Sequence, residues 1–378
     1  MYHFCEPSDF LKRLEGYVNI ETPSADREQM EKLNLLLEQD LKDAGAVVTR
    51  HAASRGDVLQ ADIGEGEKRI LLLGHKDTVF PVGTLARNPF RVETREGREI
   101  LRGPGVLDMK SGVCMTLELL RHFAKQPIPG YRITALFNCD EEIGSGESEE
   151  IIRAFCKKSR FCLCMEPSVP EFCTVARKSL TAYRITAHGV AAHSGVNYLK
   201  GASAIEGLCR VVSKVYDLRD DEKDLSINIG AIEAPGKNNI VCDYAQARGE
   251  LRCFDRELRQ QTLDAIDAIC KACSVPGVTV EFTYSGGRPA MVQDARSKEL
   301  FALAEASAKE HGLVLKGRAH GGGSDGSFAS DEGIPVLDGM GAEGENSHTD
   351  EEYLFWDTLY ARLKTCADVM VKAAECGL

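Results

Sequence analysis

Hydrophobic positions along the chain change their spacing in a way that separates two kinds of structure. After Ser24, the residues Met30, Leu33, Leu37 and Leu41 recur at helical intervals until Gly45, which predicts a helix with one buried stripe. Residues 69–73 form instead a short unbroken apolar run ending at Gly74, the pattern of a strand buried on both faces. Helical spacing returns over 111–124, and buried-strand patterns follow over 131–139 and 161–165. Strands alternating with helices in this way predict an α/β domain around a mostly parallel sheet.

From about residue 178 the texture shifts. Segments 179–187, 225–233 and 242–254 alternate apolar and polar residues like half-exposed strands, while 201–218 and 256–273 read as amphipathic helices. With a further strand over 278–284 this makes β-α-β-β-α-β, an antiparallel sheet with helices on one face, that is, an inserted α+β domain. The α/β texture then resumes with a helix over 297–310, strands near 313–316 and 335–338, and a last helix ending at Glu375. The expected division is a discontinuous domain, 1–178 and 288–378, interrupted by a smaller one over 179–287. No internal repeat or low-complexity stretch is visible.

A length of 378 residues agrees with two cores rather than one. The formal charge of -12 argues against a nucleic-acid partner, since phosphate binding needs a positive surface. No apolar run is long enough to span a bilayer, and the start lacks the basic segment and apolar core of a signal peptide, so a cytoplasmic protein is expected. Fourteen cysteines are scattered without a framework spacing, which suits reduced, mostly buried thiols. Cys270 and Cys273 form a Cys-x-x-Cys, but within a helical pattern and without a second pair.

What changes the picture is the chemistry at the ends of the predicted strands. The 69–73 run delivers His75 and Asp77, the 131–139 strand hands off to Glu141 and Glu142, and the 161–165 strand to Glu166. Asp108 follows a glycine-rich turn, and His348 lies in Asn-Ser-His-Thr-Asp. In open α/β sheets the ligand crevice lies outside the carboxyl ends of the strands, where these residues fall. Imidazole and carboxylate are ligands that zinc accepts, and two zincs sharing a site need a set of this size. A dinucleotide fingerprint at Gly103-Pro-Gly105 fails for want of a third glycine.

Two rival readings are weighed. Gly322-Gly323-Ser324-Asp325-Gly326 fits Gly-x-Ser-x-Gly, the nucleophile turn of a serine hydrolase, and His320 opens an esterase-like His-Gly-Gly-Gly. The two motifs overlap in one loop, and little chain follows Ser324 to supply an acid and then a histidine. A non-catalytic peptide-binding relative should have lost a ligand or the base, and none is missing.

Taken together these motifs resemble the zinc-dependent aminoacylase, dipeptidase and glutamate carboxypeptidase family of metallopeptidases, over nearly the whole chain. Gly-Gly-Gly-Ser-Asp-Gly, Gly-Arg-Pro and Asn-Ser-His-Thr-Asp-Glu-Glu-Tyr point to the glutamate carboxypeptidase branch. The resemblance implies a di-zinc catalytic domain interrupted by a dimerisation domain, hence a homodimer with two Zn2+ per subunit; Co2+ or Mn2+ could use the same ligands. It assigns one metal to His75, Asp108 and Glu166 and the other to Asp108, Glu142 and His348, with Asp108 bridging. Asp77 would support His75, and Glu141 would act as general base on water bridging the zincs. His193 would reach the scissile carbonyl oxygen of a neighbouring subunit's substrate. Arg288, Asn239 and the backbone of Gly322 and Gly323 would hold a small peptide or N-acyl amino acid by its carboxylate. The implied reaction removes a carboxyl-terminal amino acid, with glutamate favoured; deacylation and dipeptide hydrolysis are the variants. The sequence departs from the family in having Val-Cys after Asn239-Ile240, where many members have proline, and Ser111 between Lys110 and Gly112.

Overall fold

The computed structural model describes all residues except Met1 and Ala25. The chain divides into two units, one of Met1–Ala176, Met291–His320 and Ser324–Leu378, the other of Arg177–Ala290 and Gly321–Gly323.

The first unit is built on a six-stranded sheet in the order Val47–His51, Val58–Ile63, Tyr131–Asn138, Lys68–His75, Phe161–Cys164, Val336–Leu337. The first strand pairs with the second and the second with Tyr131–Asn138 antiparallel, and the three later pairings are parallel. The mostly parallel α/β class read from the sequence is therefore the one observed. Leu71, Leu72 and Leu73 of the central strand are buried on both faces, as their unbroken apolar run required. On one side lie the helices Pro7–Val18, Arg27–Asp43, Ser111–Lys125, Ala295–Glu310 and Trp356–Glu375, which bury Leu33, Leu37, Leu117, Leu300 and Leu363 in one core with Ile70 and Leu72. A second cluster holds Leu71, Leu73, Ile152 and Phe328.

Helix Arg27–Asp43 begins later than its apolar spacing suggested. Its N-cap is Asp26, whose carboxylate accepts from Gln29 N–H. Ser24 is used elsewhere, donating its hydroxyl to Asp77 at 2.7 Å.

The sequence pattern did not reveal a small antiparallel sheet in the order Gly344–Glu345, Tyr353–Phe355, Arg98–Arg102, Arg91–Arg95. Tyr353 pairs with Arg102 and Phe355 with Ile100. Strands Arg91–Arg95 and Arg98–Arg102 are rich in arginine and too polar to look buried, and the sheet is held partly by Arg98 and Arg95 lying over Phe355 and Tyr353.

The second unit is an antiparallel sheet in the order Ser226–Glu233, Tyr244–Arg252, Thr181–His188, Thr279–Tyr284. Thr181–His188 alternates buried and more exposed residues along its length. Its inward face packs Tyr183, Ile185 and Ala187 against Leu208, Val211 and Ile266 of helices Ala204–Tyr216 and Arg256–Lys271. Among the described residues, no helix is long and apolar enough to cross a membrane.

Candidate metal centre

Three parallel strands end side by side. His75 is the last residue of its strand and pairs with Asn138, while Leu73 pairs with Cys164. The chain leaving each strand therefore opens on one edge of the sheet, bringing His75, the turn Glu141–Ile143 and Glu166 together. His75 Nδ1 lies 2.9 Å from the Asp77 carbonyl oxygen and 3.4 Å from its carboxylate. Nδ1–H donates to the near carbonyl, which leaves Nε2 facing Asp108 Oδ1 at 3.2 Å and Glu166 Oε1 at 3.7 Å. The Asp77 carboxylate has other work: it accepts from Ser24 Oγ and from the N–H groups of Glu141 and Glu142 at 3.2 and 3.1 Å. It fixes the two-glutamate turn.

Asp108 and His348 arrive by the small sheet. Arg98–Arg102 leads into the Gly103–Gly105 turn before Asp108, and the paired strand Tyr353–Phe355 follows the loop that carries His348. His348 Nε2 lies 3.2 Å from both Asp108 Oδ2 and Glu142 Oε2. Asp108 thus turns one oxygen to each histidine. Donor atoms of His75, Glu141 and Glu166 all lie within 4.8 Å of one another, as do those of His75, Asp108 and Glu142.

This donor set fits divalent metal. Asp108, Glu141, Glu142 and Glu166 crowd against two imidazoles, and burying so many like charges is costly without cations. The buried amines next to them in sequence point away: Lys76 Nζ to Asn34 and the Asp57 carbonyl, Lys110 Nζ to the Ile20 carbonyl. Glu142 Oε1 is buried and has no hydrogen-bond partner among the described residues. Without metal, protons hold the cluster together. Burial lowers the pKa of His75, but Glu166, Asp108 and Asp77 outweigh it and hold it well above the ordinary value. Hydrogen bonds with Asp108 and Glu142 push His348 up to about 11. Burial raises Glu166 and Glu142, while for Asp108 the two histidines overcome burial and keep it well down.

The substrate-binding candidates belong to the second unit. His193 lies in the strand Ala192–His193, paired with Ile240–Val241, and its Nδ1 accepts from the N–H groups of Gly195 and Val196 at 3.1 and 3.2 Å. That leaves an exposed Nε2–H as donor. Asn239 is exposed on the neighbouring segment, and its carbonyl accepts from Ser194 N–H at 3.0 Å. Arg288 is buried and lies across Gly323, where a Cβ would come within 2.8 Å of Arg288 Cδ. The carbonyls of Gly322 and Gly323 accept from Arg177 Nη1 at 3.2 and 3.3 Å. Arg288, Gly322 and Gly323 are therefore one cluster.

Ser324, the serine-hydrolase candidate, is buried, donates to the Asp338 carboxylate and accepts from Gly326 N–H at 3.1 Å. Its hydroxyl is fastened to a carboxylate rather than to an imidazole. One buried carboxylate beside the site escaped the sequence reading. Glu352 is fully buried and accepts from the N–H groups of Leu107 and Asp108 at 2.8 and 3.1 Å. The signal was available, since Glu352 closes the same Asp-Glu-Glu string that follows His348.

Comparison with known proteins agrees with this chemistry. Residues 71–375 match Peptidase family M20/M25/M40. The chain is 30% identical over 370 residues to carboxypeptidase G2 of Pseudomonas sp. (strain RS-16), covering 96% of this chain and 88% of that one. In fold it resembles aminopeptidase PepT from Bacillus cereus ATCC 10987, with a TM-score of 0.77, 20% identity and coverage of 98% and 99%. It also resembles Bacillus subtilis YXEP, a dinuclear metal binding peptidase from the M20 family, with a TM-score of 0.72, 15% identity and coverage of 97% and 99%. A sheet edge that gathers buried carboxylates and imidazoles for metal, on a chain matched over most of its length, places this protein in peptidase family M20/M25/M40 as a hydrolytic metallopeptidase.

Proposed function

We propose that this protein is a cytoplasmic, homodimeric di-zinc exopeptidase that releases a carboxyl-terminal amino acid, glutamate foremost, from small peptides or N-acyl amino acids. The observation that carries the reading is Asp108, with one carboxylate oxygen toward His75 and the other toward His348, Glu166 and Glu142 lying on the respective sides. One ion would be held by His75, Asp108 and Glu166 and the other by Asp108, Glu142 and His348, with Asp77 supporting. Two divalent ions there would supply Lewis-acid polarisation of the scissile carbonyl and make water acidic enough to attack near neutral pH.

The remaining work falls to the chain. Glu141 takes a proton from the attacking water and returns it to the departing amine, so the amide C–N bond is exchanged for C–O with no net proton gained. Arg288, beside Gly322 and Gly323, grips the substrate carboxylate, for which a guanidinium fork is well matched. Asn239 adds a contact to substrate, and His193 donates its Nε2–H to the carbonyl oxygen as negative charge develops there. The likeness to carboxypeptidase G2 supports release of a carboxyl-terminal residue.

The test is amino-acid release from dipeptides, folyl-glutamate-type conjugates and N-acyl amino acids, comparing zinc-loaded protein with a chelated control. The expected result is metal-dependent release of the carboxyl-terminal residue, fastest for glutamate. Metal-dependent cleavage of the acyl amino acids alone would make the protein a deacylase. No release from any of them by protein holding two metals would overturn the proposal.

A further inference from the structure

The ligands Asp108 and His348 are far apart in sequence; Asp108 sits in the irregular turn Val106–Lys110 and His348 on a loop, both poor scaffolds for a site needing sub-ångström placement. Asp108 follows a glycine-rich turn, and His348 is half-exposed with a backbone φ of 68°. Something must hold these two loops in register. The small sheet does part of this through the Tyr353–Arg102 pairing. Arg102 Nη1 also reaches the Glu351 carbonyl and carboxylate at 3.1 and 2.9 Å, and Arg87 and Asn88 bind Asp350. These outer contacts involve Asp350 and Glu351, which are about half-exposed or more, so they contribute little individually.

Glu352 is different. Its side chain has no exposure, and its Oε1 accepts from the N–H groups of Leu107 and Asp108 at 2.8 and 3.1 Å. Glu352 itself belongs to the loop that carries His348, and its N–H donates to the carbonyl of Thr349, the residue after His348, at 3.1 Å. One buried carboxylate carried by the His348 loop thus receives the backbone N–H groups of the Asp108 segment. We propose that Glu352 is a positioning residue that locks Asp108 to His348 and so sets the affinity of the metal held by Asp108, Glu142 and His348. The inference rests on the ligand assignment given above.

Both backbone N–H groups share one oxygen acceptor. Glu352→Gln keeps the shape and that oxygen but places an amide with two donors where Oε2 is buried without a hydrogen-bond partner among the described residues, which shifts the side chain and the segment it holds. The first metal keeps His75 and Glu166, which are held by the central sheet and by Asp77, and should be affected much less.

The experiment titrates the purified full chain with Zn2+ in competition with a chromophoric chelator, and follows Co2+ absorption spectra of the same proteins. Wild type should hold two ions. In Glu352→Gln one ion should bind roughly 10- to 100-fold more weakly while the other keeps wild-type affinity, a range seen when a supporting carboxylate behind a ligand is altered. The Co2+ spectrum of the first site should not change. Glu352→Asp, which keeps the charge but shortens its reach, should weaken the same ion by less, and it carries the test if the Gln variant does not fold. Glu351→Ala should leave both affinities unchanged. Two ions bound with wild-type affinity in either Glu352 variant, or equal weakening of both, would overturn the role assigned to Glu352. A wild-type protein that takes up only one ion would overturn the ligand assignment and this inference with it.

Discussion

Glu141 and Glu142 are adjacent, yet the structure gives them different surroundings. Glu142 faces His348 at 3.2 Å, whereas Glu141 shares its neighbourhood with His75 and Glu166. If Glu141 is the base, Glu141→Gln should lower kcat by about 10²–10⁴-fold, the usual contribution of a positioned acid–base group. Metal content should stay at two ions, because the ligand set is untouched. Wild-type turnover in that variant would sink the mechanism. A second prediction concerns protons. In the metal-free protein His348 titrates near 11 and His75 well above its ordinary value, because carboxylates hold their protons. That mutual attraction stabilises the metal-free fold fully below pH ~6.5, the ordinary histidine value, and is lost as pH rises through the raised values. Zinc loaded at pH 7 must therefore expel protons, on the order of one per histidine, and its affinity must climb steeply with pH. Calorimetry in buffers of differing ionisation enthalpy measures this directly; uptake without proton release would contradict the paired-imidazole geometry.

At the scale of elements, the site depends on how closely helix Ser111–Lys125 approaches the sheet. A Cβ on Gly112 would lie 2.1 Å from the Met165 carbonyl oxygen, in the residue just before Glu166. Gly112→Ala must push the helix off the strand, which costs about 1–3 kcal/mol as overpacking does. The melting temperature should fall and metal affinity should weaken with it; an unchanged melting temperature would show that the contact can relax freely. The sequence revealed the elements whose burial is uniform. Strands Lys68–His75, Tyr131–Asn138 and Phe161–Cys164 are mostly apolar in their buried stretches because both faces are covered, and each carries its chemistry at or just past its end. The arginine-rich hairpin Arg91–Arg102 stayed hidden because its strands bury few side chains. The same polarity hid Glu352, whose burial arises only when two loops close over it. Spacing along a chain reports periodic burial; it cannot report a carboxylate buried by residues more than two hundred positions away.

For the whole molecule, the open question is whether one chain suffices. His193 and Asn239 are exposed in the second unit, and His193 is followed by Val196, Tyr198 and Leu199, with Leu199 95% exposed. Val190, Ile232 and Ile240 add exposed apolar side chains of the same unit. A histidine that presents a donor nitrogen beside so much uncovered apolar surface is suited to an interface with a second copy, in which it would serve the partner's substrate. Replacing Leu199 and Val196 with aspartate removes no proposed ligand and no proposed substrate contact, and it places charge where burial against a partner would be required. The double variant should sediment as a monomer, keep two zinc ions and the wild-type melting profile of the first unit, and lose nearly all turnover. Mixing inactive His193→Ala with inactive Glu141→Gln then separates assistance in trans from a merely structural dimer. Activity recovered in mixed dimers requires each active site to draw His193 from one chain and Glu141 from the other. A fully active monomer, or no recovery in mixtures shown to exchange subunits, would refute the shared site.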